Sequence, residues 1–205
     1  MMNGSRTTPI PMLTGLLVTL VVGMAGMSFM TVHAAETHVP VSFSGGHETD
    51  PKDGGRPVVL VAAALEVKPE VFRDAFSGVT PARDGKPSPE QARRNKAALM
   101  KVLKPYGVTN ERLDEVSNYY RYQPQRGELW PTTPAKAHAV VEDGKIKQVV
   151  VTNPGSGYST PPKATVQGME KIPLKVTLQF GKDLKKNGSI SSVEIASSEA
   201  PATSR

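Results

Sequence analysis

One short segment of the sequence gathers the side chains best suited to chemistry. It contains one imidazole and three carboxylates, at His47, Glu48, Asp50 and Asp53. Carboxylate oxygens are preferred ligands of calcium, and imidazole together with carboxylates suits zinc. The spacing does not match an EF-hand loop, which needs a glycine and a closing glutamate at fixed positions. The segment predicts either a metal site or a solvated turn whose acids favour the start of the next helix.

Other patterns that could carry chemistry are weaker. Gly155 and Gly157 precede Tyr158 and two prolines, whereas phosphate-binding loops lead directly into a helix N-terminus. We therefore expect a sharp loop with positive φ angles at these glycines, and no bound phosphate. The G-x-S-x-G sequence that marks one class of serine nucleophile is missing from the chain. We assign no catalytic residue.

Aromatic side chains cluster where the helical and strand-rich parts of the sequence join. They are Tyr119, Tyr120, Tyr122 and Trp130. Such rings stack on sugars and anchor protein partners. They equally suit a core between two domains, because large rings are scarce elsewhere in the chain. Both interpretations remain open from the sequence.

Four helices must position these groups between residues 57 and 130. The alanine-rich segment Val58–Leu65 favours a buried helix over a strand, since alanine is a poor strand former. A second helix is predicted to begin at Pro69, a residue type common in the first turn. Ser88 and Thr109 are predicted N-caps of the third and fourth helices.

The four helices form two related hairpins. Val58–Phe76 aligns with Leu99–Ser117, with similar residues at several positions, which indicates a duplicated unit. The unit resembles the L-G-V-T-x-E-x-L helical hairpins of exported bacterial proteins, a resemblance that implies packing only. The motif has glycine at the turn between its two helices. The second hairpin keeps this residue as Gly107, whereas the first hairpin has Glu66 at the equivalent position.

From residue 137 onward the apolar pattern changes to a period of two. Leu174–Phe180 alternates apolar and polar residues, as a half-buried strand does. Asp143-Gly144 and Asn187-Gly188 are dipeptides that type I′ hairpin turns prefer. Gly144–Val151 also recurs in part as Gly188–Ile195. The sequence therefore predicts two related hairpins in an antiparallel sheet of about five strands.

One element within this part resembles a known surface motif. Val151–Pro162 reads V-T-N-P-G-S-G-Y-S-T-P-P and is similar to the V-T-N-x-G-x-G-Y-x-x-P-P element of bacterial surface proteins and phage tail or fibre proteins. The resemblance implies a β module for display or adhesion, and carries no catalytic residues. Its structural loop comprises Gly155, Gly157, Tyr158, Pro161 and Pro162.

The first residues indicate export. Met12–Val32 has no charged residue, and Arg6 supplies a positive charge before it. Val32-His33-Ala34 fits a signal-peptidase site, so that the mature chain would begin near Ala35 and be secreted or periplasmic. The uncharged run is also close to the about 20 residues of a membrane span. The alternative is an uncleaved membrane anchor, with the residues after 35 outside the cytosol. No other contact with a membrane is predicted.

Together these patterns predict an α+β protein in which a helical-hairpin domain of about four helices precedes a small antiparallel β-hairpin module. The predicted parts are a signal peptide at 1–34, a flexible leader at 35–56, a helical domain at 57–130, a β module at 137–196 and a disordered tail at 197–205.

Composition narrows the function. The chain has no cysteine, which excludes disulfides, thiol chemistry and lipidation of a cysteine. Its net charge of +6 is spread along the sequence, so we expect no nucleic-acid partner. We predict an exported non-enzymatic structural or binding protein whose partner is an envelope protein or polysaccharide, with no cofactor. The alternative is an exported metal-dependent hydrolase that uses the acidic segment with calcium or zinc.

Overall fold

The computed structural model describes residues 36–80, 82, 87–121 and 127–196. These residues form an α+β fold with four α-helices and six strands, all of whose pairings are antiparallel. None of the described helices combines the length and the apolar character needed to cross a bilayer. The predicted signal peptide at 1–34 and the predicted tail at 197–205 lie outside the described residues.

The four predicted helices are confirmed. They are α1 (Val58–Ala64), α2 (Pro69–Ser77), α3 (Pro89–Leu103) and α4 (Asn110–Tyr119). The caps act as the sequence predicts: the Ser88 hydroxyl accepts a hydrogen bond from the Gln91 N–H, and the Thr109 hydroxyl accepts one from the Arg112 N–H, both at 3.2 Å. Each bond satisfies a backbone donor that a helix start leaves unpaired.

The turns that end α1 and α3 share one backbone feature, which supports the duplicated hairpin. Gly107 follows α3 with φ 83°, and the aligned Glu66 follows α1 with φ 56°. Glycine adopts this left-handed conformation at no steric cost, whereas the Cβ of glutamate makes it unfavourable. The first hairpin therefore keeps the conformation of the turn but lacks the residue that suits it.

Replacing Glu66 with glycine is expected to stabilise the protein by about 1 kcal/mol, because it removes the strain of a non-glycine residue at positive φ. The ion pair lost is an exposed one, 3.9 Å from Lys182, and such pairs contribute little. Urea denaturation measures the change. Gly107→Ala is the matched control and should destabilise by about 1 kcal/mol; a less stable Glu66→Gly variant would contradict the argument.

The six strands form a four-stranded sheet and a two-stranded sheet. The strands are β1 (Thr37–Ser44), β2 (Lys136–Glu142), β3 (Lys145–Asn153), β4 (Lys163–Val166), β5 (Leu174–Gln179) and β6 (Ser189–Ile195). The larger sheet has the order β3-β2-β1-β4, and β5 pairs with β6. All six strands contribute buried residues to one apolar cluster, which includes Val41, Val166 and Val193.

The first strand corrects the predicted flexible leader. Residues 37–44 lie inside the larger sheet, where β1 pairs with β2 through Thr37–Val41 and with β4 through Val41–Ser44. Backbone pairing on both sides satisfies the strand and holds it in place. One strand thus precedes the helices, so the helices do not simply come before the β module.

Pro40 fits within β1 because of the way the strand changes partners. Its carbonyl accepts a hydrogen bond from Gln167, just beyond the end of β4. Proline has no N–H to offer a neighbouring strand and is confined to edges and strand ends. Pro40 has no partner residue within β4, because the pairing of β1 with β4 begins at Val41. The missing donor is therefore tolerated.

One of the two predicted hairpin turns is confirmed and the other is not. Asp143 and Gly144 join β2 to β3 with φ angles of 49° and 71°, as a type I′ turn requires. Asn187-Gly188 instead ends the connection from β5 to β6, which spans residues 180–188. We name residues 180–188 the β5–β6 loop. Asn187 is buried in this loop, where its side chain makes internal hydrogen bonds.

The described helices and strands belong to one compact unit. Leu184 of the β5–β6 loop packs against the helical core, and Trp130, which follows the helices, is buried in that core. The buried strand residues form a second cluster. The helices and the strands therefore pack in separate apolar clusters. Leu184 and Trp130, which lie outside the helices, join the helical cluster.

Candidate functional site

Residues 155–158, which we name the G-x-G-Y loop, bond to Trp130 and to the end of the β5–β6 loop. The Gly157 N–H donates to the Asn187 carbonyl at 2.9 Å, and the Tyr158 N–H donates to the Gly188 carbonyl at 3.0 Å. Trp130 donates from its indole nitrogen to the Gly157 carbonyl at 2.8 Å. Gly155 and Gly157 have the expected positive φ angles, 63° and 83°. Tyr158 and Pro162 are buried and Pro161 is exposed. The loop is a structural connection.

Asn187 is the centre of this connection. Its side-chain nitrogen donates to the Leu60 carbonyl of α1 at 2.7 Å and to the Tyr120 hydroxyl at 2.8 Å. Its side-chain oxygen accepts from the Gly181 N–H at 3.1 Å. The residue is 1% exposed. One amide therefore ties α1, the end of α4 and the β5–β6 loop together where water cannot replace its bonds.

The carboxylates of the predicted metal-binding segment contact separate partners in the structure. No group of three or more His, Asp or Glu side chains in the described residues is arranged to hold a metal ion. Asp53 is buried against Arg73, which donates to its two oxygens at 2.7 and 2.9 Å. Asp50 accepts from the Lys52 N–H at 3.1 Å. Glu48 accepts from the Gly46 N–H at 3.0 Å and from the Thr160 hydroxyl.

These bonds explain the electrostatics of the carboxylates. The hydrogen bond from the Thr160 hydroxyl lowers the pKa of Glu48 from its ordinary value, and the contact with Lys52 lowers the pKa of Asp50. Both shifts favour the charged form, because the donors bind a carboxylate better than a carboxylic acid. The acids therefore hold the segment after β1 in place.

A cleft of about 460 Å³ borders this segment. Two arginines line it, but both are already engaged: Arg73 pairs with Asp53, and Arg56 donates to the Asp53 carbonyl at 2.7 Å. The guanidinium of Arg56 also lies 4.0 Å from the centre of the Phe76 ring. The charges in this cleft serve internal contacts and are poorly placed to receive an anion.

His47 is separated from the carboxylates by its packing. Its ring stacks on Tyr158, with centres 5.1 Å apart, and meets Trp130 edge-on at 6.2 Å. The Nε2 atom is buried and has no hydrogen-bond partner among the residues that the structure describes. Burial lowers the pKa of His47 from its ordinary value, and the nearby Glu48 charge opposes that shift. The neutral imidazole is the form that the folded protein favours.

Acidification is therefore expected to destabilise the protein through His47. The unfolded chain binds a proton at a higher pH than the folded protein does, so the stability is full above the unfolded pKa of about 6.5 and falls as the pH drops below it. Denaturation between about pH 7.5 and about pH 5.5 measures this loss, at pH values where carboxylates remain charged. His47→Phe should flatten the profile, and an unchanged slope in that variant would contradict the assignment.

The described residues of the predicted aromatic cluster differ in how far they are buried. Tyr120 and Trp130 are 5% and 2% exposed, so the structure places them in the core. Burial raises the pKa of Tyr120 to about 12, because the phenolate is excluded from a site that water does not reach. Tyr122 lies outside the described residues. Tyr119 is half-buried and is the member that faces a groove.

That groove has a volume of about 580 Å³ and lies between α4 and the β5–β6 loop. We name it the Tyr119 groove. One side is formed by α4 and the other by the loop, and the lining residues are Arg112, Glu115, Asn118, Tyr119, Lys182, Asp183, Leu184 and Lys185. Tyr119 is fixed by Tyr120, whose ring centre is 5.0 Å away at an angle of 78°.

Arg112 holds the two sides of the Tyr119 groove at a fixed separation. Its guanidinium donates to the Ala64 carbonyl at the end of α1, from Nε at 3.1 Å and from Nη2 at 2.8 Å. It also donates to the Lys182 carbonyl in the β5–β6 loop and pairs with Glu115 at 2.6 Å. One side chain thus binds α1, α4 and the loop, and the groove is formed before any ligand arrives.

Sequence reasoning identified Tyr119 but missed the residues opposite it. Lys182 and Lys185 come from a segment where the sequence predicts a two-residue turn at Asn187-Gly188. Four charged residues among positions 181–186 were the available signal for a longer loop. Comparison of the chain with protein-family models, with curated proteins and with solved structures gives no match.

Proposed function

We propose that this is an exported, non-enzymatic binding protein of the cell envelope or extracellular space that binds an acidic polysaccharide in the Tyr119 groove. The observation that carries the proposal is the half-buried ring of Tyr119 opposite the exposed amino groups of Lys182 and Lys185, across a preformed groove. The predicted export segment and the surface-type loop are consistent with the compartment.

The chemistry of the groove suits an acidic sugar. An aromatic ring provides a flat apolar face on which the C–H face of a sugar can stack, and an ammonium group pairs with a carboxylate or phosphate. Tyr119 is already ordered by Tyr120, and Arg112 orders the loop. A preformed site loses less conformational entropy on binding, which leaves more of the contact energy as affinity.

The acids in the groove do not cancel its basic groups. Glu115 is paired with Arg112 at 2.6 Å, and Asp183 is paired with the amino group of Lys186, which does not line the groove, at 3.8 Å. The amino group of Lys182 lies 3.9 Å from Glu66, and both side chains are exposed, so a ligand anion can compete with this pair. The lysine amino groups are the charges that remain for a ligand.

The proposal predicts that polygalacturonate, a carboxylated polysaccharide, binds more tightly than its methyl-esterified, uncharged form. Tyr119→Ala should weaken binding about tenfold, as the loss of about 1.4 kcal/mol would. Tyr106→Ala is the matched control, because Tyr106 is 58% exposed outside the groove. Titration calorimetry of the exported protein at low salt measures both.

Two results would refute this function. One is the absence of any preference for the acidic over the esterified polymer, and the other is an equal loss of affinity in the Tyr119→Ala and Tyr106→Ala variants. A further arm replaces Lys182 and Lys185 with alanine, which should reduce both the affinity and its dependence on salt. Fractionation of cells, with sequencing of the mature N-terminus, tests the export that the proposal assumes.

A further inference from the structure

The outer side of α3 is a strongly basic surface apart from the Tyr119 groove. It carries Arg93, Arg94, Lys101 and Lys104, and all four side chains are exposed. We name these four residues the basic face. Positions 94, 97, 101 and 104 recur at intervals of three and four residues, so they lie along one side of the helix. Position 97 is an exposed alanine and does not interrupt the row.

The charges of the basic face are mostly not neutralised. In the described residues, Arg94, Lys101 and Lys104 have no acidic group within ion-pairing distance. Arg93 pairs with Glu90 at 3.1 Å, but both side chains are largely exposed, which makes the pair weak. The face therefore keeps a net positive charge.

The charges on the inward side of the same helix are arranged differently. Lys96 faces α4 and pairs with Asp114 at 2.6 Å, while Leu103 is completely buried and Leu99 packs against the helical core. The helix is thus held by its inward side, and its outward row of cations plays no part in that packing. Nothing in the helical core requires these four residues to be basic.

Tyr106 follows the last residue of the basic face in the chain. It lies in the short 3₁₀ turn Lys104–Tyr106 that follows α3 and is 58% exposed. Tyrosine is favoured at the boundary between lipid and water, where its ring meets the apolar region and its hydroxyl stays hydrated. A row of exposed cations along the convex side of a helix suits a planar array of anionic head groups better than it suits a single enclosed ligand.

We infer that the basic face forms a docking surface for a membrane rich in anionic lipid. Each basic residue close to such a surface strengthens binding about fivefold at physiological salt, and the effect fades within about 10 Å. The surface is distinct from the Tyr119 groove, so the protein could hold a polysaccharide while it rests on the membrane.

Vesicle sedimentation with the exported protein tests this inference. The vesicles contain phosphatidylcholine alone or phosphatidylcholine with about 30% phosphatidylglycerol, which provides the anionic surface. We expect binding only to the anionic vesicles, and a decrease as salt is added. The double variant Arg94→Gln, Lys101→Gln should bind about 25-fold more weakly.

The matched control removes two lysines from exposed strand positions, as Lys136→Gln, Lys175→Gln. This variant has the same net charge as the α3 double variant and should retain nearly all of the binding. Circular dichroism and thermal melting establish that both double variants are folded. Tyr119→Ala should bind vesicles like the original protein, so failure of the polysaccharide proposal and failure of this inference are distinguishable.

Three outcomes would overturn the inference. They are no binding to anionic vesicles at low salt, equal losses in the α3 and strand variants, and stronger α3-dependent binding to soluble polyphosphate than to vesicles. The last outcome would assign the basic face to an anionic polymer and not to a lipid surface.

Discussion

Gly188→Ala is expected to destabilise the protein by about 3 kcal/mol, a combined effect of strained φ and steric overlap. Gly188 has φ +69°, and a Cβ atom there would lie 2.4 Å from the Tyr158 carbonyl oxygen and 2.6 Å from Leu60 Cδ2. The backbone of Tyr158 cannot move away easily, because its N–H donates to the Gly188 carbonyl at 3.0 Å. The substitution would therefore separate the G-x-G-Y loop from the start of β6.

Gly144→Ala separates the two causes of this effect. Gly144 has nearly the same φ, +71°, but a Cβ atom there would meet nothing within 4 Å. Its replacement should cost only the strain of positive φ, about 1 kcal/mol. Urea denaturation of both variants gives the comparison. Equal losses would mean that the close approach of Gly188 to Tyr158 and Leu60 does not contribute.

Asn187→Asp is expected to destabilise the protein by a similar amount, about 3 kcal/mol, because buried donors and acceptors are left unpaired. The substitution keeps the shape of the side chain and removes its two N–H donors. An oxygen would then face the Leu60 carbonyl, which now accepts a hydrogen bond at 2.7 Å. A carboxylate would also be buried without a cation to pair with. Chemical denaturation at neutral pH measures the loss.

Asn118→Asp is the control for Asn187. Asn118 is exposed on α4, and a negative charge near a helix C-terminus costs only about 0.5 kcal/mol. A loss in Asn187→Asp that is no larger than in this control would show that the amide does not connect α1, α4 and the β5–β6 loop. Loss of the Tyr120 contact can be followed separately by tyrosine absorbance, since the Asn187 bond reaches the Tyr120 hydroxyl.

Local signals in the sequence were sufficient to predict the helices. Ser88 and Thr109 act through bonds to the N–H of residues three positions later, so the information lies within a single turn. Asp143-Gly144 is similar, because its conformation depends on two residues. Glu66 shows the limit of such reasoning: the turn is kept although the local preference opposes it, which requires support from the surrounding packing.

The first strand could not be predicted from composition. Glycines and polar residues in 35–56 indicated a flexible leader, although Val39, Val41 and Phe43 alternate as a strand should. What holds β1 is pairing with β2 and β4, and residues distant in sequence leave no local trace. Asn187 was misread for the same reason: its partners are Leu60, Tyr120 and Gly181.

The candidate site was predictable only in part. Tyr119 was identified by residue type, but its accessibility, and the burial of Tyr120 and Trp130, depend on how α4 packs. The acidic segment illustrates the opposite problem. Its side chains are close in sequence, yet Asp53 is used by Arg73 and Glu48 by Gly46 and Thr160. Proximity along the chain does not bring ligands to a common point.

The position of β1 also has a consequence for the order of folding. Both of its partner strands follow all four helices in the chain, so a growing or emerging chain cannot complete the larger sheet until β4 is available. Contacts between residues so far apart in sequence slow the search for the native topology. The helical hairpins rest on local contacts, and we therefore expect closure of the sheet around β1 to come later in folding than the helices.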